Sequence, residues 1–122
     1  MVAAATPAVA CGDSGTAGSP QPTSAAGKRG LALAKDSGCQ ACHTANGKNS
    51  TGPTWKDLAG SKVQLDGGET IVADDAYMAR SITDPKREVV AGYGGIMPSN
   101  DLDEAQVADL VAYLNELSSR EQ

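Results

Sequence analysis

Two thiols and an imidazole lie within five consecutive residues of this chain, at Cys39, Cys42 and His43. The Cys-x-x-Cys-His spacing is that of a c-type heme attachment site, in which each thiol forms a thioether with one heme vinyl group. The histidine that follows is then directed at the iron from one face of the ring. We therefore predict one covalently bound heme c, with His43 as an axial ligand of its iron.

Other kinds of site also contain a Cys-x-x-Cys pair: a structural disulfide, half of a zinc site, or a thioredoxin-like redox pair. A tetrahedral zinc site needs two more Cys or His ligands, but the chain offers only Cys11 and no second histidine. A redox dithiol needs a βαβ setting, which the sequence pattern does not indicate. A disulfide therefore stays open as the main alternative to heme attachment.

The composition of the 122-residue chain indicates one small domain whose core is poor in aromatic residues. Only 3% of the residues are aromatic and none is phenylalanine, so side chains alone would build a thin core, and a heme would fill that deficit. The net charge of −5 disfavours nucleic acid as a partner, because phosphate backbones require clustered Lys and Arg. The sequence as written also contains no run of about 18 apolar residues, the length that spans a membrane.

Residues 1–26 are dominated by Ala, Gly, Ser, Thr and Pro, which predicts a flexible linker or a processing or tether segment. The residues around Cys11 are similar to the end of a bacterial lipoprotein signal, in which this cysteine would carry lipid. However, no positively charged segment precedes it, and Pro7 interrupts the short apolar run. A lone exposed cysteine in a linker is the alternative. We expect the folded domain to cover residues 27–122.

A short helix and a hairpin are predicted on either side of the cysteine pair. The helix covers about Lys28 to Asp36 and ends near Gly38, which suits a left-handed cap, so that it delivers Cys39 to the heme. Residues 62–73 place short apolar runs on both sides of an Asp-Gly-Gly sequence. This pattern predicts a small β-hairpin that must lean on the rest of the domain.

A second helix is predicted after the hairpin. Asp74 or Asp75 caps its start, and Pro85 terminates it. Its residues Tyr77 and Arg80 are candidates to reach a heme propionate, and positions on the helix surface are the equal alternative.

The last helix has the clearest pattern in the chain. Asp103 and Gln106 form a capping box at its start. Its apolar face consists of Val107, Leu110, Val111, Leu114 and Leu117. The acidic residues of the opposite face, Asp109 and Glu116, are interpreted as a solvated surface.

Residues that follow the histidine are predicted to support it. Pro53 has no N–H but keeps a free carbonyl, and that carbonyl is placed to accept a hydrogen bond from the second ring nitrogen of His43. Such a bond fixes the tautomer and the orientation of an axial histidine. Trp55 and Leu58 are expected to pack on the heme, although Trp55 would suit an ordinary core equally well.

A glycine-rich loop is predicted to supply the second axial ligand. Residues 89–98 contain three glycines and a proline and cannot form a regular helix. A loop of this kind can bring the Met97 sulfur over the open face of a heme, whereas a packing methionine is the alternative. Met78 is the competing ligand, but it lies inside a predicted helix.

In the order of its motifs the chain resembles class I cytochrome c, and it looks most similar to the cytochrome c domain fused to subunit II of bacterial heme-copper cytochrome c oxidases. The resemblance covers about residues 27–118. It is carried by Cys39-Gln40-Ala41-Cys42-His43, Gly52-Pro53-Thr54-Trp55, Asp66-Gly67, Tyr77, Asp84-Pro85, Gly92-Tyr93 and Met97-Pro98.

The resemblance implies a small all-α fold of three to five helices around one covalent heme, with a short β-hairpin insertion. It implies thioethers from Cys39 and Cys42, His43 and Met97 as axial ligands, and Tyr93 among the heme-binding residues. The last helix would cross the first, with Tyr113 near Gly30. The sequence given has no cupredoxin domain and no transmembrane hairpin of a whole subunit II, so we expect an excised domain or a stand-alone relative.

An iron with both axial positions occupied has no vacant site for a substrate, so the predicted function is one-electron transfer at a positive potential rather than enzyme catalysis. We expect delivery of electrons to a terminal cytochrome c oxidase in a respiratory chain. The alternatives are a heme enzyme or gas sensor with a displaceable sixth ligand, and an electron donor to another periplasmic oxidoreductase.

The expected partners are redox proteins, such as a terminal oxidase or a quinol-oxidising complex, and the isolated domain is expected to be a monomer. The expected location is extracytoplasmic, in the bacterial periplasm or on the outer face of the cytoplasmic membrane. A membrane tether through lipidated Cys11 or through a missing upstream domain stays open.

Overall fold

The computed structural model describes residues 20–118, which form three α-helices and one small two-stranded sheet. The elements are α1 (Ala25–Asp36), β1 (Lys62–Gln64), β2 (Thr70–Val72), α2 (Asp75–Thr83) and α3 (Glu104–Glu116). The predicted fold class, an all-α domain with a short hairpin insertion, is confirmed. Among residues 20–118, no helix combines the length and the apolar character needed to cross a membrane. The predictions for Cys11 lie outside the described residues.

The first and last helices cross in close contact. At the crossing, a Cβ atom added to Gly30 would meet the backbone oxygen of Asp109 and would lie 2.6 Å from the Cβ atom of Tyr113. No side chain fits in that space, so glycine allows the two backbones to approach. Ala34, one turn further along α1, is fully buried. The predicted crossing, with Tyr113 near Gly30, is therefore present.

Helix α1 begins earlier than the sequence pattern indicates. Ser24 is its N-cap, and the Ser24 hydroxyl accepts a hydrogen bond of 2.9 Å from the Gly27 amide. The helix therefore starts at Ala25, three residues before the predicted start at Lys28. Residues 24–26 therefore form the N-cap and the first two positions of α1.

The interpretation of Asp109 and Glu116 as a solvated surface is wrong. The Glu116 carboxylate accepts four hydrogen bonds of 2.8 to 3.1 Å from the backbone amides and the hydroxyls of Thr23 and Ser24. Both Asp109 oxygens accept hydrogen bonds from the Arg29 guanidinium, at 2.9 and 3.1 Å. The acidic face of α3 therefore holds the start of α1 in place, next to the positive end of the α1 dipole.

Substitution of Glu116 tests this contact through the pH dependence of stability. Partial burial raises the pKa of Glu116, but the hydrogen bonds from Thr23 and Ser24 outweigh it and lower this pKa to about 2. Because the folded-state pKa lies below the unfolded value of about 4.3, the stabilisation is present above that value and is lost as the pH falls toward 2. We expect Glu116→Gln to lower the free energy of unfolding by about 1 kcal/mol at pH 7, after allowing for solvent screening.

The measurement is urea unfolding of both proteins from pH 7 down to pH 2.5. The difference between wild type and Glu116→Gln should shrink as the pH falls below 4. A difference that stays constant over this range would show that ionised Glu116 does not carry the contact.

The predicted hairpin is present and leans on the loop that follows α2. Its strands pair antiparallel, with Val63 opposite Ile71, around a turn in which Gly67 and Gly68 have φ of 101° and 98°. Val63 and Leu65 are buried, and Leu65 forms an isolated bridge to Val90. The hairpin therefore supports the segment that leads to Met97.

Helix α2 also follows the prediction. The Asp74 carboxylate caps it by accepting a 2.8 Å hydrogen bond from the Tyr77 amide. The helix ends at Thr83, two residues before Pro85. Its buried face, Tyr77, Met78 and Ile82, points into the centre of the domain.

Candidate functional site

A largely apolar cavity opens between the Cys39–Ala41 turn, α2, α3 and the loop that contains Met97. Nine of the ten predicted site residues line it: Cys39, Cys42, His43, Pro53, Trp55, Leu58, Tyr77, Tyr93 and Met97. Arg80 is the exception. The structure therefore brings the predicted site together around one cavity, although side-chain contact with a heme stays a prediction.

Both thiols are presented on a tight turn next to this cavity. Gly38 precedes the turn in the left-handed conformation, with φ of 75°, and so ends α1 in the way the sequence predicts. The backbone amides of Cys42 and His43 both donate to the Cys39 carbonyl, at 3.2 and 3.1 Å. Cys39 and Cys42 are free thiols, both half-buried. The turn thus fixes the spacing of the two thiols and the imidazole.

The electrostatic environment of Cys39 does not suit a redox dithiol. Burial raises the pKa of the Cys39 thiol. Reactive cysteines of redox pairs have the opposite shift, because they need a stabilised thiolate. A half-buried Cys39 thiol whose pKa is raised, beside an apolar cavity, fits a structural attachment role better.

The imidazole of His43 is oriented by the backbone, as predicted. Its Nδ1 atom lies 2.8 Å from the Pro53 carbonyl oxygen. Since that oxygen can only accept, Nδ1 carries the proton and donates it. The lone pair of Nε2 is then available to a metal.

Two neighbours clamp the His43 ring. The Trp55 indole stacks on it, with ring centroids 5.1 Å apart and an angle of 20° between planes. Gly52 lies against the imidazole. A Cβ atom added to Gly52 would be 2.6 Å from Cε1 and 2.8 Å from Nδ1 of His43. Trp55 in turn meets the edge of Tyr113, at 6.0 Å and 84°, which ties the histidine to α3. The ring therefore has little freedom to rotate.

Gly52 is a residue whose role the sequence analysis missed. It stands directly before Pro53, and only its position beside the anchoring proline could have drawn attention to it. We expect Gly52→Ala to push the imidazole away from the Pro53 carbonyl and to cost about 1–3 kcal/mol of stability. The heme absorption spectrum should show a partly high-spin iron.

A suitable control is Thr51→Ala, at the exposed neighbouring position on the cavity wall. This control should keep the wild-type spectrum and stability. If Gly52→Ala and Thr51→Ala behave alike, the close packing of Gly52 against the ring is not important for the site.

The loop that contains Met97 is fastened to the domain at both ends. At its start, the amide of Asp66 donates to the Val89 carbonyl at 2.7 Å, and the amide of Ala91 donates to the Gln64 carbonyl at 3.0 Å. At its end, the side-chain amide of Asn100 donates to the Ile82 carbonyl of α2 at 2.7 Å.

Between these hydrogen bonds, the loop adopts backbone conformations that a helix does not allow. Gly92, Gly94 and Gly95 all have positive φ, which glycine adopts without strain. Both methionines reach the cavity wall, Met97 from this loop and Met78 from α2. Met78 is only 2% exposed and belongs to the core, whereas Met97 is half-buried.

Arg80 does not line the cavity itself, but its guanidinium pairs with Glu88, which does, with Nε 2.7 Å and Nη2 3.3 Å from the two carboxylate oxygens. This pair lowers the pKa of Glu88, chiefly through the hydrogen bond. That Arg80 reaches a heme propionate, or instead stays on the helix surface, remains a prediction. The pair also joins α2 to the start of the Met97 loop.

The cavity fits a heme on three observations. Its wall is mostly apolar, and it has two free thiols and an imidazole with an available Nε2 at one edge. In addition, the Ser81 hydroxyl is buried at the wall without any hydrogen-bond partner. A large flat apolar molecule with a few polar groups would satisfy each of these features.

Comparisons with known proteins agree with this fit. The family model described as cytochrome c matches residues 27–118. Among 26 solved chains that match is cytochrome cH from Methylobacterium extorquens, with 30% sequence identity and a TM-score of 0.53. That similarity covers 77% of this chain and 98% of the solved chain. No curated protein sequence matches significantly.

The family match covers most of the chain and contains the Cys39 and Cys42 pair in the heme-attachment spacing. One covalent heme c is thus the cofactor of this domain, and electron transport is its general role. The chain belongs to the cytochrome c family.

Proposed function

We propose that His43 and Met97 are the two axial ligands of the heme iron, so that the protein transfers single electrons and leaves no iron position open to a substrate. The observation that carries this proposal is the 2.8 Å bond between His43 Nδ1 and the Pro53 carbonyl, which leaves Nε2 free for a metal. Met97 is the second ligand because it reaches the same cavity from a loop, whereas Met78 is fixed on α2 and buried in the hydrophobic core. The heme supplies the one-electron change between ferric and ferrous iron.

The protein's own residues set the conditions for this transfer. Apolar side chains around the cavity exclude water, and burial disfavours the additional positive charge of the ferric state. A thioether ligand also raises the reduction potential relative to a second histidine. The carboxylate of Glu88, which lines the cavity, is paired with the Arg80 guanidinium, so its negative charge is compensated. We therefore expect a positive potential.

A partner would contact the protein at the uncharged rim of the cavity. Ile96, next to the ligand Met97, is 65% exposed and is the more exposed of the two large apolar residues that lie open to solvent within residues 20–118. A small apolar patch gives the weak and short-lived contact that a carrier needs. The partner we propose is a terminal cytochrome c oxidase, from the resemblance to the domain fused to subunit II. The proposed location is extracytoplasmic, and the proposed tether is lipidated Cys11 or an upstream domain.

Two measurements on the ferric holoprotein test the ligand proposal. A potentiometric titration should give one single-electron transition at a positive potential. The near-infrared spectrum should show the weak band of methionine bound to ferric iron. A negative potential together with the absence of this band would contradict ligation by Met97.

The partner is tested separately by stopped-flow mixing of the reduced protein with purified redox enzymes. Fast oxidation by a terminal oxidase that saturates with its concentration is expected. Fast oxidation by a nitrogen-oxide reductase, with none by the oxidase, would assign the protein to a different electron-transfer chain.

A further inference from the structure

Ser81 has an unusual position for a hydroxyl group. Its Oγ atom is buried and has no hydrogen-bond partner. Within residues 20–118, the other buried polar side-chain atom without a partner is Oδ1 of Asn115. The same Asn115 side chain already donates through Nδ2 to Asp75 and to the Val111 carbonyl. Among the buried side chains of residues 20–118, Ser81 is therefore the one whose entire polar group is unsatisfied.

A hydroxyl in α2 does not need to stay unsatisfied. Two residues further on, the Thr83 hydroxyl donates to the carbonyl of Ala79, four residues back, at 3.0 Å. Ser81 has the equivalent carbonyl available at Tyr77 but does not bond to it. Since burial of a free hydroxyl is unfavourable, its orientation indicates a partner that the protein chain does not provide.

The location of Ser81 indicates that this partner lies in the cavity. Ser81 lines the heme cavity together with Tyr77 and Met78, which lie four and three residues earlier on the same face of α2. A heme c has two propionate carboxylates, and a carboxylate in such a cavity requires hydrogen-bond donors. The propionates are the polar groups of the heme, and they are chemically matched to the Ser81 hydroxyl.

The charged groups near the cavity do not supply that donor. Among the described residues of the wall, Glu88 is the only acidic or basic side chain other than the neutral His43, and its carboxylate repels a second carboxylate. Arg80, the nearest cation on α2, is occupied by Glu88 at 2.7 Å. The side-chain amide of Asn100 donates to the Ile82 carbonyl. The donors left on α2 are therefore two neutral hydroxyls of the cavity wall, those of Tyr77 and Ser81, and only that of Ser81 is recorded as buried without a partner among the described residues.

We infer that the Ser81 hydroxyl donates a hydrogen bond to a heme propionate, and that Ser81 is a binding residue for the cofactor. This inference rests on the heme in this cavity but not on the identity of the sixth ligand. With the bond in place, the propionate charge is partly compensated without a salt bridge. Loss of the bond would leave that negative charge closer to full strength near the iron and would favour the ferric state.

The test compares holoproteins with Ser81→Ala, Ser81→Thr and Ser99→Ala. Ser99 also lines the cavity but is exposed, so its substitution controls for the loss of a hydroxyl at the rim. In the resonance Raman spectrum, Ser81→Ala should move one propionate bending mode to lower frequency, and its reduction potential should fall. Ser81→Thr, which keeps the hydroxyl, and Ser99→Ala should match the wild type in both.

An unchanged propionate mode in Ser81→Ala, or an equal shift in Ser99→Ala, would overturn the inference. Heme that resists acid-acetone extraction shows in each variant that the cofactor is covalently attached. The near-infrared methionine band is recorded on the same samples. Its absence in the wild type would refute ligation by Met97, while the Raman comparison would still decide the role of Ser81.

Discussion

Replacement of both Cys39 and Cys42 by alanine abolishes covalent attachment of the heme, and the pigment then passes into the organic phase on acid-acetone extraction. The two thioethers are the expected chemical links, and both thiols stand free beside the cavity. The domain has few aromatic residues to close its core without a heme. We therefore expect a loss of more than about 4 kcal/mol in the free energy of unfolding, measured by urea titration.

The single substitutions Cys39→Ala and Cys42→Ala are the matched controls. Each keeps one thiol, so each should retain heme that resists extraction, through one thioether. If the double variant still holds extraction-resistant heme, the attachment site is not this pair of cysteines. That outcome would contradict the first inference made from the sequence.

The second large effect is expected at the proposed sixth ligand. Met97→Ala should leave the heme attached and the domain folded, because Met97 is half-buried in a loop and not in the core. The near-infrared band should disappear, and the reduction potential should fall by on the order of 0.1 V or more, since axial ligands set heme potentials over a wide range. Spectra and potentiometry of the purified variant measure both changes.

Met78→Leu is the control for the competing methionine. Met78 is 2% exposed within α2, and leucine nearly conserves its volume, so we expect a stability change below about 1.5 kcal/mol. The near-infrared band should persist. Loss of the band in Met78→Leu, with its retention in Met97→Ala, would exchange the roles of the two methionines.

The sequence was sufficient for the elements whose signals are local. The capping box of Asp103 and Gln106 forms as predicted, and Asp74 caps α2. The Gly67–Gly68 turn closes the hairpin, and Gly38 ends α1. Each of these depends on residues a few positions apart, so residue type and spacing contain the information.

Contacts between distant parts of the chain were the ones missed. The partners of Glu116 lie 92 and 93 residues away in sequence, and no periodicity within α3 points to them. The same limit applies to Arg80, whose pairing with Glu88 depends on how the loop returns to α2. An acidic residue on the outer face of a helix has the same sequence pattern whether it faces water or another helix.

The candidate site was largely predicted because its chemistry is concentrated in short motifs. The bond from His43 to the Pro53 carbonyl follows from a proline placed ten residues after the histidine. Gly52 and Ser81 could not be found in the same way. The role of Gly52 comes from the lack of space beside the His43 ring, and that of Ser81 from the lack of a hydrogen-bond partner in the folded chain. For Ser81, the helical spacing from Tyr77 was the one available signal.

Carbon monoxide binding by the ferrous protein tests the central claim, a closed iron held by His43 and Met97, most directly. Carbon monoxide requires a vacant or displaceable axial position. At neutral pH the reduced wild type should show no change in its absorption spectrum after addition of carbon monoxide, whereas reduced Met97→Ala should bind it on mixing. Rapid binding by the wild type would contradict the closed, six-coordinate iron and would favour a heme enzyme or a gas sensor.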